Sequence, residues 1–183
     1  MLCNKSVTHT CGLACKIPLL QKDQSPPMKL LFLCTHNACR SILSEAMTRQ
    51  IAGTRIAVAS AGTEPAGAVH PLTLAALARH GYDTGDLHSK SIDAIRPCQP
   101  DVVITVCDRA AAESCPVWLG SAIRAHWGLP DPSALAGSAD ATEAFDRVMA
   151  TIEQRIRRLL EQPIAGMETG QLAALLNAIG RQD

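Results

Sequence analysis

The sequence lacks an excess of charge of either sign, because 17 Lys+Arg balance 17 Asp+Glu among its 183 residues. A general nucleic-acid binder or a polybasic membrane-surface protein would carry a basic excess, so we expect neither nucleic acid nor a membrane as a partner. Long apolar runs are also missing: the longest, residues 30–34 and 101–107, have the length of a strand and cannot cross a bilayer. The length of 183 residues favours one compact domain.

The first 27 residues lack the apolar stretch of a secretory signal peptide. They are polar and end in two prolines, through which neither a helix nor a strand continues. We predict that residues 1–27 are a disordered extension and that the domain spans residues 28–183. The alternative for the extension is a metal site made by Cys3, His9, Cys11 and Cys15, although no paired C-x-x-C spacing supports it.

Cysteine is abundant, with eight residues. A secreted domain would use cysteines as disulfide staples, whereas a cytoplasmic chain keeps its thiols reduced and uses a surplus for redox or metal chemistry. Because the signal stretch is missing, we expect a cytoplasmic protein with redox or metal chemistry.

Strand-like and helix-like segments alternate from Met28 onward. Buried strands are predicted where apolar or β-branched residues run together, and helices where apolar residues recur with helical spacing. The predicted strands are 30–34, 56–61, 101–107 and 122–127, and the predicted helices are 41–51, 71–80, 142–160 and 171–179. This alternation predicts a single doubly wound α/β domain, with a four-stranded parallel sheet and helices on both faces.

The first predicted strand ends in a Cys-x5-Arg-Ser segment, Cys34 to Ser41. A loop of this length before a helix can point its backbone N–H groups at one oxyanion, and Arg40 can hold two oxygens of that anion. The same positive field predicts a lowered pKa for Cys34, a candidate nucleophile. The candidate substrate-binding residues are Thr35, His36, Asn37, Ala38, Cys39, Arg40 and Ser41. The alternative is a cysteine that merely ends a strand and an arginine on a helix surface.

Four motifs occur together in the order LFLCTHNACRS, Ser60-Ala61-Gly62-Thr63, VCDRAAAESCPVW and HWGLPDP. With them the chain resembles the low-molecular-weight protein tyrosine phosphatase superfamily, and within it the thiol-coupled arsenate reductases, over residues 28–160. Such reductases often have serine where this chain has Ala38, a departure from which we expect little effect. The resemblance implies a phosphatase-like arsenate reductase domain that converts arsenate to arsenite.

The resemblance also implies the roles of further residues. Asp131, in an Asp-Pro pair, would be the general acid, and Cys107 and Cys115 would pass electrons in a disulfide relay with Cys34. An external donor, thioredoxin or glutaredoxin with glutathione, would regenerate a monomeric enzyme that holds no bound cofactor or metal. The residues alone support this layout in one respect: Cys107 ends a predicted strand, at the sheet edge where Cys34 lies. Two free structural cysteines are the alternative.

Two other functions compete with reduction. A tyrosine phosphatase would need Cys34, Arg40 and Asp131 alone, but such enzymes resemble one another in having tyrosines beside the Asp-Pro pair. Here Ser133 to Ala136 follow that pair, and Tyr82 is the single tyrosine of the chain. The second competitor is a non-catalytic regulator of the arsenic response that binds an oxyanion or a metal.

Some members of this family bind potassium beside the loop, with ligands that match Asn37, Glu45 and Ser60. Lys90 aligns with a further aspartate ligand, so its ammonium could replace the cation, and we expect activity that is insensitive to potassium. The alternative is an ordinary surface lysine. Cys39 and Cys98 are expected to be free structural thiols.

Overall fold

The computed structural model describes residues 26–112 and 119–182 of the chain. The predictions about the extension and its cysteines concern residues outside these ranges, apart from Pro26 and Pro27, and so does the predicted role of Cys115. The strands are β1 (Met28–Cys34), β2 (Ile56–Gly62), β3 (Val102–Thr105) and β4 (Ile123–His126). The α-helices are α1 (Arg40–Ala52), α2 (Pro71–Arg79), α3 (Asp108–Ala112), α4 (Ala141–Leu160) and α5 (Thr169–Gly180), and 3₁₀ helices span Gly53–Arg55, Ile92–Cys98 and Pro132–Leu135.

The four strands form one parallel sheet in the order β2-β1-β3-β4. Strand β1 lies inside the sheet and pairs with β2 from Met28↔Ile56 to Cys34↔Gly62, and with β3 from Leu30↔Val102 to Leu33↔Thr105. The predicted α/β fold with a four-stranded parallel sheet is therefore confirmed. Because all strands run the same way, the segments that follow β1 and β3 leave the sheet at one edge.

Alternate side chains of β1 point to opposite faces of the sheet. Leu30 and Phe32 belong to the larger core, together with buried residues of α1, α4 and α5 such as Ile42, Ile152 and Leu176. Leu31 and Leu33 belong to a smaller core on the other face, with Ile92 and Ile95 of a 3₁₀ helix. A strand buried on both faces explains why the sequence of β1 is continuously apolar.

Strand β3 is shorter than the predicted segment 101–107. Its last residue is Thr105, after which Val106 N–H still donates to the Leu33 carbonyl. Asp108 then begins α3, a helix of five residues. An acidic first residue followed by alanines favours helix over strand, so Cys107 lies in the connection between β3 and α3.

Helix α5 packs closely against the end of β4. Gly180 lies so near the His126 carbonyl that a Cβ atom at position 180 would collide with it. The indole N–H of Trp127 donates to the Leu176 carbonyl at 2.9 Å. These contacts fix the start of the segment that leads from β4 to Asp131. Across the described ranges, no helix is both long and apolar enough to cross a membrane.

Candidate active site

The segment between β1 and α1 folds around the sulfur of Cys34. The Asn37 N–H donates to Cys34 Sγ at 3.1 Å, and Ser41 Oγ lies 2.9 Å from the same sulfur. Asn37 has a φ of 46°, a left-handed conformation that asparagine tolerates better than most residues. This turn brings the chain back over Cys34, so the loop between Cys34 and Arg40 curls around the sulfur.

The loop carbonyls are held by the neighbouring segment that follows β2. The Thr35, His36 and Ala38 carbonyls accept hydrogen bonds from the N–H groups of residues 64, 66 and 70, each at 2.9 Å. Because these carbonyls accept hydrogen bonds from outside the loop, the N–H groups of the loop are the backbone groups left for an anion. Gly62 is needed for this fit, because a Cβ there would lie 2.5 Å from the Thr35 carbonyl oxygen.

Arg40 begins α1 and contacts the segment after β4. One Nη atom donates to Asp131 Oδ2 at 2.8 Å and the other donates to the Leu129 carbonyl at 3.2 Å. A small cavity of about 40 Å³ lies between this pair and the loop, lined by Cys34, His36, Ala38, Cys39, Arg40, Asp131 and Ser133. The structure therefore brings Asp131 to the mouth of the loop, 91 positions after Arg40 in the sequence.

Burial raises the pKa of the Cys34 thiol above its ordinary value of 9.0. Hydrogen bonds from Ser41 and from the Asn37 backbone oppose this rise, and the neighbouring Cys107 adds to it. The sequence-based prediction of a lowered pKa is therefore wrong for this arrangement. The physical reason is that the loop removes the sulfur from water while the Arg40 guanidinium pairs with Asp131 instead of the sulfur.

Cys107 lies beside the loop, as its position after β3 suggests. Thr35 Oγ1 and Cys107 Sγ are 3.6 Å apart, and the Ala110 N–H of α3 is 3.4 Å from the same sulfur. Cys107 and Cys34 are both only 4% exposed, and Cys107 is close enough to influence the pKa of Cys34. Two buried thiols therefore flank Thr35, at the edge where β1 and β3 end.

Lys90 is a partly buried member of a polar network under the loop, and its ion pair with Glu45 excludes the alternative of an ordinary surface lysine. Its Nζ donates to Glu45 Oε2 and to the His88 carbonyl, both at 3.0 Å, and its side chain is 11% exposed. Ser60 Oγ donates to the same Glu45 oxygen at 2.5 Å. The Lys90 N–H donates to Asn37 Oδ1 at 2.6 Å, and the Asn37 amide donates to Ser41 and Ser60. The ammonium thus neutralises Glu45, and this network holds Asn37 in its left-handed conformation.

The remaining candidates differ in exposure. His36 is exposed at the loop tip and Ala38 is partly buried, whereas Cys39 is buried and precedes α1. Burial raises the pKa of Cys39 to about 12, so it is a neutral thiol at physiological pH.

In the parts of the chain that the structure describes, no group of three or more His, Cys, Asp or Glu side chains is arranged to hold a metal ion.

Ser133 is a residue of the site that the sequence did not predict. It was noted only because it follows the Asp-Pro pair, where phosphatases of the family have tyrosines. Its hydroxyl donates to Asp131 Oδ1 at 2.6 Å and its N–H donates to the same oxygen at 3.1 Å. Asp131 thereby caps the 3₁₀ helix Pro132–Leu135. The signal was in the sequence, because Asp followed by Pro and Ser is typical of a capped helical turn.

Comparison with known proteins agrees with this geometry. Residues 29–168 match the family model of the low molecular weight phosphotyrosine protein phosphatases. The chain belongs to this family. That span includes both thiols that flank Thr35 and also Asp131, whereas α5 lies beyond it.

Two relatives of this chain within the low-molecular-weight phosphatase family are arsenate reductases. The chain is 36% identical to the arsenate reductase of Bacillus licheniformis over 133 residues, which cover 72% of this chain and 94% of that protein. It is 35% identical to the arsenate reductase of Bacillus subtilis with the same coverage.

Two solved structures of arsenate reductases also resemble this chain. An arsenate reductase in its phosphate-binding state superimposes with a TM-score of 0.63 at 28% identity, over 73% of this chain and 97% of that one. The thioredoxin-dependent arsenate reductase of Corynebacterium glutamicum gives a TM-score of 0.56 at 32% identity, over 75% of this chain and 62% of that one.

Proposed function

We propose that this protein is an arsenate reductase that uses Cys34 as nucleophile and Cys107 as the thiol that releases arsenite. The observation that carries the proposal is the buried Cys107 beside the loop, with its sulfur 3.6 Å from Thr35 Oγ1. Ester hydrolysis needs one nucleophile and an acid, whereas reduction by two electrons needs a second thiol. The resemblance to arsenate reductases supports the same choice.

The loop binds arsenate through its N–H groups, the first turn of α1 and Arg40. No side chain caps the first turn of α1, so its N–H groups are available to an anion. The Cys34 sulfur attacks arsenic and forms an S–As bond while one As–O bond breaks. The thiol proton and the proton of hydrogen arsenate leave together as water, and Asp131 transfers the proton to the departing oxygen.

Cys107 then reduces the arsenic. Its sulfur attacks Cys34, an S–S bond forms, and the S–As bond breaks with its electron pair left on arsenic. Arsenic(V) becomes arsenic(III), two thiols become one disulfide, and the proton of Cys107 leaves with arsenite. Cys115 next attacks Cys107, which frees Cys34 and gives a Cys107–Cys115 disulfide for an external dithiol to reduce.

The external donor belongs to the thioredoxin or glutaredoxin class. The Corynebacterium glutamicum relative is thioredoxin-dependent by name, which makes thioredoxin the first donor to test. Such donors operate in a reducing compartment, so we propose a cytoplasmic location, in which Cys34 and Cys107 stay reduced between turnovers.

Donor-dependent arsenite formation, compared with aryl phosphate hydrolysis, tests the proposal. We expect the wild type to form arsenite with thioredoxin or with glutaredoxin and glutathione. Cys107→Ser and Cys115→Ser should bind the oxyanion but lose multiple turnover. The matched control is Cys98→Ser, since Cys98 is an exposed cysteine outside the site.

Three outcomes would contradict the proposal. Undiminished turnover of Cys107→Ser would exclude the relay. Rapid aryl phosphate hydrolysis without any arsenite would instead identify a phosphatase, and binding without either reaction would identify a regulator.

A further inference from the structure

Asp131 is held from two sides. Its Oδ2 accepts a hydrogen bond from Arg40 at 2.8 Å, and its Oδ1 accepts two, from the hydroxyl of Ser133 at 2.6 Å and from the Ser133 N–H at 3.1 Å. The carboxylate therefore has one oxygen on the loop side and one on the side of the 3₁₀ helix. The two oxygens are not equivalent.

The Arg40 fork is engaged by these partners in this arrangement. One Nη atom donates a hydrogen bond to Asp131 and the other donates to the Leu129 carbonyl. The cavity beside this pair has a volume of about 40 Å³. The lining of this cavity includes Cys34, Arg40 and Asp131, so an anion bound there meets the Arg40–Asp131 pair. An oxyanion that binds the end of the guanidinium formed by both Nη atoms therefore competes with the Asp131 carboxylate for it.

The Ser133 hydroxyl goes beyond what capping requires. An aspartate before a helical turn is satisfied by a backbone N–H two residues later, which any residue at position 133 supplies. The hydroxyl adds a second donor to the same oxygen. Because both donors occupy Oδ1, a proton bound by the carboxyl group is directed to Oδ2, the oxygen that faces Arg40 and the loop.

We propose that Ser133 is a positioning residue, whose hydroxyl and N–H keep Asp131 Oδ1 hydrogen-bonded. Asp131 Oδ2 pairs with Arg40 in the absence of substrate, and the substrate anion displaces it from Arg40. The released Oδ2 then lies next to the bound anion as the proton-carrying atom. This inference rests on the proposed function, in which Asp131 is the acid.

Sulfate binding measured by calorimetry tests the displacement without any turnover, because sulfate is a tetrahedral dianion that carries no proton near neutral pH. We expect Asp131→Asn to bind sulfate about tenfold more tightly than the wild type, since the carboxylate no longer competes for Arg40. The matched control is Glu64→Gln, which removes one carboxylate that pairs with Arg109. Equal effects of the two variants would overturn the displacement, because general charge would then explain both.

Steady-state kinetics test the role of Ser133. We expect Ser133→Ala to lower kcat about fivefold with little change in KM, because the acid loses its orientation but the loop still binds arsenate. Ser133→Thr retains a hydroxyl and should restore kcat to within about twofold of the wild type. A threonine variant as impaired as the alanine variant, or an alanine variant with normal kcat, would overturn the positioning role. Absent arsenite formation with a tighter Asp131→Asn complex would reject the proposed function and leave the displacement intact.

Discussion

Replacement of Lys90 by methionine removes the positive charge from the largely buried Lys90–Glu45 pair. The methionine side chain has a similar length. Lys90 Nζ lies 3.0 Å from Glu45 Oε2, and the two side chains are 11% and 4% exposed. Removal of one partner from a buried ion pair costs about 3–5 kcal/mol, because the other charge remains buried. Arg49 stays at 2.5 Å from Glu45 Oε1, but its side chain is 42% exposed. We therefore expect a loss of about 2–3 kcal/mol in the free energy of unfolding.

Urea unfolding of Lys90→Met, with and without potassium chloride, measures this effect. The oxygens of Glu45 and Ser60 and the His88 carbonyl surround the position that the ammonium occupies, and hard cations prefer such ligands. Potassium should restore part of the stability and the activity of the variant, whereas sodium at equal ionic strength should restore less. The wild type should not respond, because its own ammonium fills the position.

Lys29→Met is the matched control. Lys29 is exposed at the start of β1, and the same substitution there should change stability by less than about 0.5 kcal/mol. A loss below about 1 kcal/mol for Lys90→Met would contradict a stabilising Lys90–Glu45 pair, because removal of the ammonium leaves the Glu45 charge buried. Stimulation of the wild type by potassium would refute it equally.

Three further predictions concern the loop, the last helix and pH. Gly62→Ala should weaken sulfate binding about tenfold in calorimetry, because its Cβ would lie 2.5 Å from the Thr35 carbonyl oxygen and move the loop. Gly180→Ala should lower the free energy of unfolding in urea by about 1–3 kcal/mol through the collision with the His126 carbonyl. Burial raises the pKa of Cys39 from 9.0 to about 12, so its contribution to stability is complete below pH 9 and is lost as the pH rises towards 12. Urea midpoints between pH 8.5 and 10.5 should fall less steeply in Cys39→Ala than in the wild type, and equal slopes would contradict this assignment.

The sequence predicted those features that depend on neighbours along the chain. The apolar run of β1, the spacing of Cys34 and Arg40 and the apolar face of α4 are local patterns, and each produced its element within two residues. The position of Cys107 near Cys34 also followed, because the ends of parallel strands meet at one edge.

Other features depend on distant contacts and could not be predicted. The pKa of Cys34 depends on how deeply the whole fold buries its sulfur, which spacing does not reveal. The bond from Arg40 to Asp131 joins residues 91 positions apart, and the Lys90–Glu45 pair joins residues 45 positions apart. The family resemblance suggested that Lys90 could replace a cation, but only the fold distinguishes that role from a surface lysine.

Strand β1 lies between β2 and β3, so the backbone that carries Cys34 is fixed on both sides. Strand β3, which precedes Cys107, is also paired on both sides, but it has four residues, and the helix that follows Cys107 has five. In the proposed mechanism, the chemistry therefore has two parts: a loop for the oxyanion after the seven-residue strand β1, and a second thiol in the short connection after β3. If these roles hold, we expect exchange of residues 107–118 between relatives to change reduction while the loop that binds the oxyanion stays the same.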